Sequence, residues 1–420
     1  MEELKEEAIK LESDLIKINS VNPSFGGKGE KEKAEYVKNK LMEYVKKYNI
    51  KNYTLKEYNT IDRYDIERTN IVFKIDFNRD KTLHIISHLD TVPEGDISLW
   101  DTNPYEPVIK DGKIYGRGAE DNHKGIVSSL LLLKMIFENN IKPKYNLSLI
   151  FVSDEEDGSE YGLKYLLDNF EDEIFKKDDL IIVPDFGTPT GEFVEIGEKG
   201  ILWIKFKIRG KQCHGSTPEN GLNADIVAFN FANELYNNIY KTFNKINPIF
   251  LPEYSTFEPT ILKNKVENPN TIPGYVEVVF DCRILPNYKI EEVLEFIEEF
   301  IKNFDFKKYI KYYDTSIEAT IEYEILKSEN PNYTDENSEI INELKKAIKN
   351  VLDREAKLCG MGGGTVAAFL REKGYKVAVW GIGEETAHQP NEHIKIEDLI
   401  KMAKVFYEIL KYSCVQNYLK

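Results

Sequence analysis

LHIISHLD, residues Leu83–Asp90, is an apolar run ended by a histidine and an aspartate. The run is short and does not alternate strictly, which is how a strand buried on both faces of a sheet reads. Four more segments read the same way: IVFKI from Ile71, LSLIFVS from Leu147, LIIVP from Leu180 and VAVWGIG from Val377. A helical pattern from about Gly125 to Asn139 lies between two of them. Upstream, helical periodicity runs from Glu2 to about Asn19, stopped by Asn22-Pro23, and again from Glu30 to about Tyr48. Strands alternating with helices predict an α/β fold built on a mixed, mainly parallel sheet.

From about Gly197 to Tyr323 the pattern changes. ILWIKFKIRG reads as a strand, followed by a helix over about Leu222–Tyr240 and strands near Ser255–Val266 and Tyr275–Ile284. A helix over Ile290–Phe304 and a strand near Ser316–Tyr323 complete the order βαββαβ, that of a ferredoxin-like module. The polar stretch Ser328–Ser338 then returns the chain to its first pattern. The domains expected are therefore 1–197 with 325–420, discontinuous and carrying the chemistry, and an inserted domain over 198–324.

The chain has 420 residues, enough for roughly two or three domains. Its 72 acidic against 56 basic residues give a net charge of −16, which opposes a nucleic-acid partner. No apolar run approaches the ~18 residues of a membrane span. The opening MEELKEEAIK has the pattern of a charged helix rather than of a signal peptide. Cys213, Cys282, Cys359 and Cys414 stand far apart and read as reduced thiols, so the expected location is cytoplasmic.

With only six histidines, their neighbours are informative. His88 and Asp90 end one strand. Glu155 and Glu156, in SDEE, end another, Asp185 follows LIIVP, and His388 lies in GIGEETAHQPNEH after VAVWG. Asp121, in GRGAEDNHKG, precedes a helix. The carboxyl ends of strands in an open α/β sheet share one crevice, so these residues can converge. Histidine and carboxylate suit zinc, which binds them at about 2 Å. Two metals about 3.5–4 Å apart need one bridging carboxylate. Asp121 fits that place, with His88 and Asp185 on one metal and Glu156 and His388 on the other. Asp90 is then placed to accept from the far ring nitrogen of His88, and Glu155 to take a proton from the attacking water. His84 and His393 read as structural, His84 as a core residue without an acidic neighbour. No GxSxG nucleophile elbow accompanies the histidines, which sets a serine hydrolase aside.

SHLDTVP, GRGAEDNHKG, SDEEDGSEYG, the Asp185 segment, GKQCHGSTPENGLNA and AHQPNEH occur here in this order. In these motifs the sequence resembles the co-catalytic zinc peptidase and deacylase family, which includes succinyl-diaminopimelate desuccinylase, acetylornithine deacetylase and glutamate carboxypeptidase. The resemblance implies a zinc-peptidase α/β domain with an inserted lid that is often used for homodimer formation. It implies the same metal ligands and roles for Glu155 and Asp90. It adds His214 as a group approaching the substrate carbonyl, frequently from a partner subunit, and Arg283 and Asn270 near a substrate carboxylate. Two divalent ions are implied, zinc first, with cobalt or manganese also suited to such ligands.

Where the family commonly has a lysine after the bridging aspartate and one residue more, this chain has His123, read either as a solvent-facing first-turn residue or as lining the site. CGMGGGTVAAF from Cys359 is a glycine run read as opening a helix, either as a tight helix entry or as an anion site, and the resemblance implies a substrate carboxylate at the N–H groups of Gly362, Gly363 and Gly364. It lacks the GK[ST] of a phosphate loop. The expected activity is hydrolysis of an amide bond in a small N-acyl amino acid or short peptide carrying a free carboxylate. The alternative is a non-catalytic member of the family used for binding or assembly.

Overall fold

The computed structural model describes residues 2–412, so Cys414 lies outside it. The described residues fall into two compact units. One comprises the residues up to Ile196, Thr334–Cys359 and those from Thr365 onward. The other comprises Gly197–Tyr333 with Gly360–Gly364.

The first unit is built on a mixed sheet. Six of its nine strands stand in the order Tyr53–Ile61, Glu67–Ile75, Asn146–Val152, Thr82–His88, Leu180–Val183 and Val377–Val379. The last four of these strands are mutually parallel, with His88 level with Val152, Ile85 with Ile182, and Val379 with Val183. Thr82–His88, Asn146–Val152 and Leu180–Val183 are buried at every residue. That is why they read as continuous apolar runs. On the flank, Tyr53–Ile61 pairs antiparallel with Glu67–Ile75 and is largely exposed. Its polar sequence, YTLKEYNTI, suits an edge strand and hid it from a search for apolar runs. The helix Lys124–Glu138 packs against Thr82–His88 and against the helices Glu2–Ile16 and Ile396–Leu410. It is buried from Lys124 to Ile136 without interruption.

A parallel arrangement sends all four carboxyl ends to one edge of the sheet. His88, Ser153, Asp185 and the segment leading to His388 leave the sheet there.

In the second unit, four antiparallel strands stand in the order Thr256–Asn264, Tyr275–Ile284, Gly200–Arg209 and Thr320–Glu329. The helices Ala224–Thr242 and Ile290–Asn303 pack with them around Phe206, Phe231, Phe257 and Phe280. The ring of Phe206 meets that of Phe280 edge-on at 5.7 Å. The final strand starts at Thr320, later than the sequence pattern placed it. Thr256–Asn264 is an edge of this sheet, and Ile261 and Leu262 on it are exposed.

Candidate metal centre

His88 closes its strand with the imidazole 2 % exposed. Nδ1 lies 2.9 Å from the Asp90 backbone carbonyl, which fixes Nδ1 as the protonated nitrogen and leaves Nε2 free as a ligand. Nε2 lies 2.8 Å from Asp121 Oδ1 and 3.5 Å from Asp185 Oδ1. Asp121 sits in the irregular turn Ala119–His123, where its own φ and ψ are −126° and 94°. Gly118 opens this turn at φ +88°, and a Cβ there would also come within 2.6 Å of His123 Nε2. The other Asp121 oxygen, Oδ2, lies 3.0 Å from His388 Nε2, and His388 Nε2 lies 3.2 Å from Glu156 Oε2.

Glu155 and Glu156 occupy a one-turn helix reached through Asp154, whose φ is +62°. Asp90 holds this turn with its side chain: Oδ1 accepts the N–H of Glu155 at 3.0 Å and Oδ2 that of Glu156 at 3.1 Å. The Asn22 amide donates both to Asp90 at 2.8 Å and to Asp154 at 3.0 Å. Arg68, fully buried, donates to Asp154 at 3.1 Å, to Asp62 at 3.2 Å and to both oxygens of Glu30. Behind the turn, a Cβ at Gly162 would lie 1.8 Å from the Ser153 carbonyl oxygen, so only glycine fits there. Asp185 accepts from the buried Asn122 amide, which also donates to the Pro184 carbonyl at 3.2 Å.

Two groups of ligand atoms each lie within 4.8 Å of one another: His88, Glu155 and Asp185, and His88, Asp121 and Glu156. Both groups share the His88 imidazole, and with His388 against Asp121 and Glu156 four carboxylates crowd two imidazoles. Burial, then Asp185, pushes Glu155 well above the usual carboxylate range, and burial, then Asp121, pushes Glu156 up to about 7. Hydrogen bonds to Asp121 and Glu156 push the His388 imidazole up to about 10. Burial opposes the charge on Asp121, yet hydrogen bonds from His388 and His88 hold it well below its ordinary value. Oε1 of Glu156 is buried without a hydrogen-bond partner. A surplus of half-buried carboxylates, one with a buried oxygen left unpaired, fits divalent cations, and the donor set of imidazole and carboxylate fits zinc, cobalt or manganese.

The geometry departs from the sequence reading in several places. Asp90 approaches His88 Nδ1 with its carbonyl at 2.9 Å and with its carboxylate at 3.6 Å, so the carbonyl is the nearer acceptor. His123 does not face solvent: it is 1 % exposed, with Nδ1 3.0 Å from Glu12 Oε1 and Nε2 2.6 Å from Lys33 Nζ. His84 is a core residue but has an acidic neighbour, Asp179 Oδ2 at 3.0 Å. Asn22, Arg68, Asp154 and Glu392 were not singled out in the sequence. Asn22 stood there only as part of a helix stop, and Glu392 stood unremarked in AHQPNEH.

His214, Asn270, Arg283 and Gly362–Gly364 belong to the second unit. Cys213–His214 pairs with Thr271–Ile272, and the Gly215 N–H donates to the Asn270 carbonyl at 2.6 Å. His214 is exposed, its Nδ1 2.8 Å from Ser216 Oγ. Arg283 is already engaged: Nε and Nη2 donate to the Asp281 carboxylate at 2.7 and 3.1 Å, and Nη1 donates to the Gly362 carbonyl at 2.9 Å. The glycine run does not open a helix. It follows the strand Lys357–Met361, and the next helix, Ala367–Glu372, is six residues long and begins beyond Thr365 and Val366.

The profile of Peptidase family M20/M25/M40 matches residues 84–412. An uncharacterized metallohydrolase of Methanocaldococcus jannaschii is 90 % identical over 409 residues, covering 97 % of this chain and all of the relative. A succinyl-diaminopimelate desuccinylase of Nautilia profundicola is 28 % identical, covering 96 % of this chain and 98 % of the relative. Among solved structures, the aminopeptidase PepT of Bacillus cereus superposes with a TM-score of 0.74 at 19 % identity, over 97 % of this chain and 98 % of that one. At that identity the likeness speaks for the fold.

Proposed function

The chain belongs to peptidase family M20/M25/M40, a family of metallohydrolases, and from that premise we propose that it hydrolyses an amide bond in a small substrate with a free carboxylate. The observation that carries the proposal is Asp121, whose two oxygens face His88 and His388 at 2.8 and 3.0 Å. One divalent ion would be held by His88, Asp121 and Asp185 and a second by Asp121, Glu156 and His388, with zinc the first choice for both. When bound, two such ions polarise a carbonyl and lower the pKa of water.

The remaining steps fall to side chains. Glu155 takes the proton of the attacking water and returns it to the leaving amine. His214 donates to the carbonyl oxygen as charge develops there. Arg283, with Asn270 and the N–H groups of Gly362–Gly364, holds the substrate carboxylate. The pairing of Arg283 with Asp281 means that this carboxylate must compete for a guanidinium already occupied. A second copy of the chain would add to the second unit along the edge strand Thr256–Asn264, whose exposed Ile261 and Leu262 support a homodimer.

The test is a panel of N-acetyl and N-succinyl amino acids, dipeptides and tripeptides. Turnover of at least one class, abolished by chelator and restored by Zn²⁺ or Co²⁺, is the expected result. Absence of chelator-sensitive turnover across the panel overturns the proposal.

A further inference from the structure

Glu392 lies four residues beyond His388 and is completely buried. Its Oε1 accepts the N–H groups of Glu120 at 2.9 Å and Asp121 at 3.0 Å. Its Oε2 accepts the N–H of Gly118 at 3.0 Å and pairs with Arg117 Nη1 at 2.5 Å. One carboxylate therefore takes four donors, all from the stretch Arg117–Asp121.

Neutralising Arg117 alone does not account for this arrangement. A carboxylate devoted to a guanidinium meets its fork with both oxygens. Here Arg117 Nε is buried without a hydrogen-bond partner, and the second oxygen of Glu392 is turned to main-chain N–H groups instead. Those N–H groups need an acceptor because they stand at the start of the turn Ala119–His123, where no preceding turn supplies carbonyls. The loop that supplies Glu392 touches Asp121 a second time, through His388 Nε2 on Oδ2 at 3.0 Å.

We propose that Glu392 is a positioning residue: it holds the main chain of Asp121 so that the carboxylate faces His88 and His388 together, tying the two metal positions to each other. The inference rests on the reading of Asp121 as the bridging ligand. Glu392→Gln keeps one oxygen and replaces the other with an amide NH₂ that accepts nothing. Arg117→Lys keeps a cation and leaves the acceptor of the three N–H groups in place.

The experiment titrates the metal-free full chain with Co²⁺, following the visible absorption, for wild type and both variants, and records the metal-free melting temperature of each. Wild type should take up two Co²⁺ per chain. Glu392→Gln should weaken both binding steps by about 10–100-fold, whereas Arg117→Lys should leave them near wild type. A role confined to stability lowers the melting temperature of Glu392→Gln and leaves the Co²⁺ affinity of the folded protein unchanged, which overturns the inference. Equal weakening in Arg117→Lys also overturns it. Should Glu392→Gln not fold, Glu392→Asp, one methylene short of its donors, takes its place with the same criteria. Uptake of fewer than two Co²⁺ by wild type contradicts the two-metal reading itself, before any variant is compared.

Discussion

His88 Nδ1 lies 2.9 Å from the backbone carbonyl of Asp90, while the nearest carboxylate oxygen of Asp90 stands 3.6 Å away. The carboxylate serves a second task as well: it holds the N–H groups of Glu155 and Glu156. Asp90→Asn leaves the carbonyl on His88 and replaces one of the two acceptors of the glutamate turn with a donor. Metal content should stay near wild type while kcat falls about 10–100-fold. Metal analysis beside steady-state kinetics checks this. Loss of metal in step with kcat would place the effect on His88 instead.

Asp121 offers one oxygen to each histidine, so its loss strikes both metal positions at once. Asp121→Asn should empty both, with metal per chain falling from two toward zero. Asp185→Ala should leave about one ion, because Asp185 contacts His88 but belongs only to the cluster that lacks Glu156. Mass-spectrometric metal counts on dialysed protein distinguish the two patterns.

Arg68 is the guanidinium that Glu30, Asp62 and Asp154, all buried, share. Removing it strands those charges, and burial already pushes Glu30 up to about 7. Arg68→Ala should destabilise the protein by about 3–5 kcal/mol in denaturant unfolding, the range for one partner lost from a buried ion pair. It should also slow turnover, since Asp154 leads into the turn that carries Glu155.

The exposed edge of the second unit gives a prediction about assembly. Wild type should have the mass of a dimer in light scattering, and Ile261→Lys with Leu262→Glu should halve it. These positions stand on an open strand where paired charges oppose addition of another strand. An unchanged dimer mass in the double variant excludes this edge as the interface.

Much of the α/β unit was legible because parallel strands buried on both faces write themselves as apolar runs, and LHIIS, LSLIFVS and LIIVP are all such strands. Their parallel order then brought His88, Glu155, Glu156 and Asp185 to one edge. The residues that hold these groups left weaker marks. Asn22 and Glu392 act through hydrogen bonds to residues 68 and 272 positions away in sequence, which no local pattern records. His123 looked like a surface residue because a helix start is usually exposed, whereas here the helix it precedes is buried on nearly every side. The strand Tyr53–Ile61 was missed for the opposite reason: an exposed edge has polar residues where a buried strand has apolar ones.

In the proposed reaction Glu155 moves the proton at a two-metal site. The most direct measurement is the metal content of Glu155→Gln together with its turnover on the substrate wild type prefers. Two metal ions per chain and a fall in kcat of about 10²–10⁴-fold are expected. Turnover near the wild-type rate with both ions bound would contradict it.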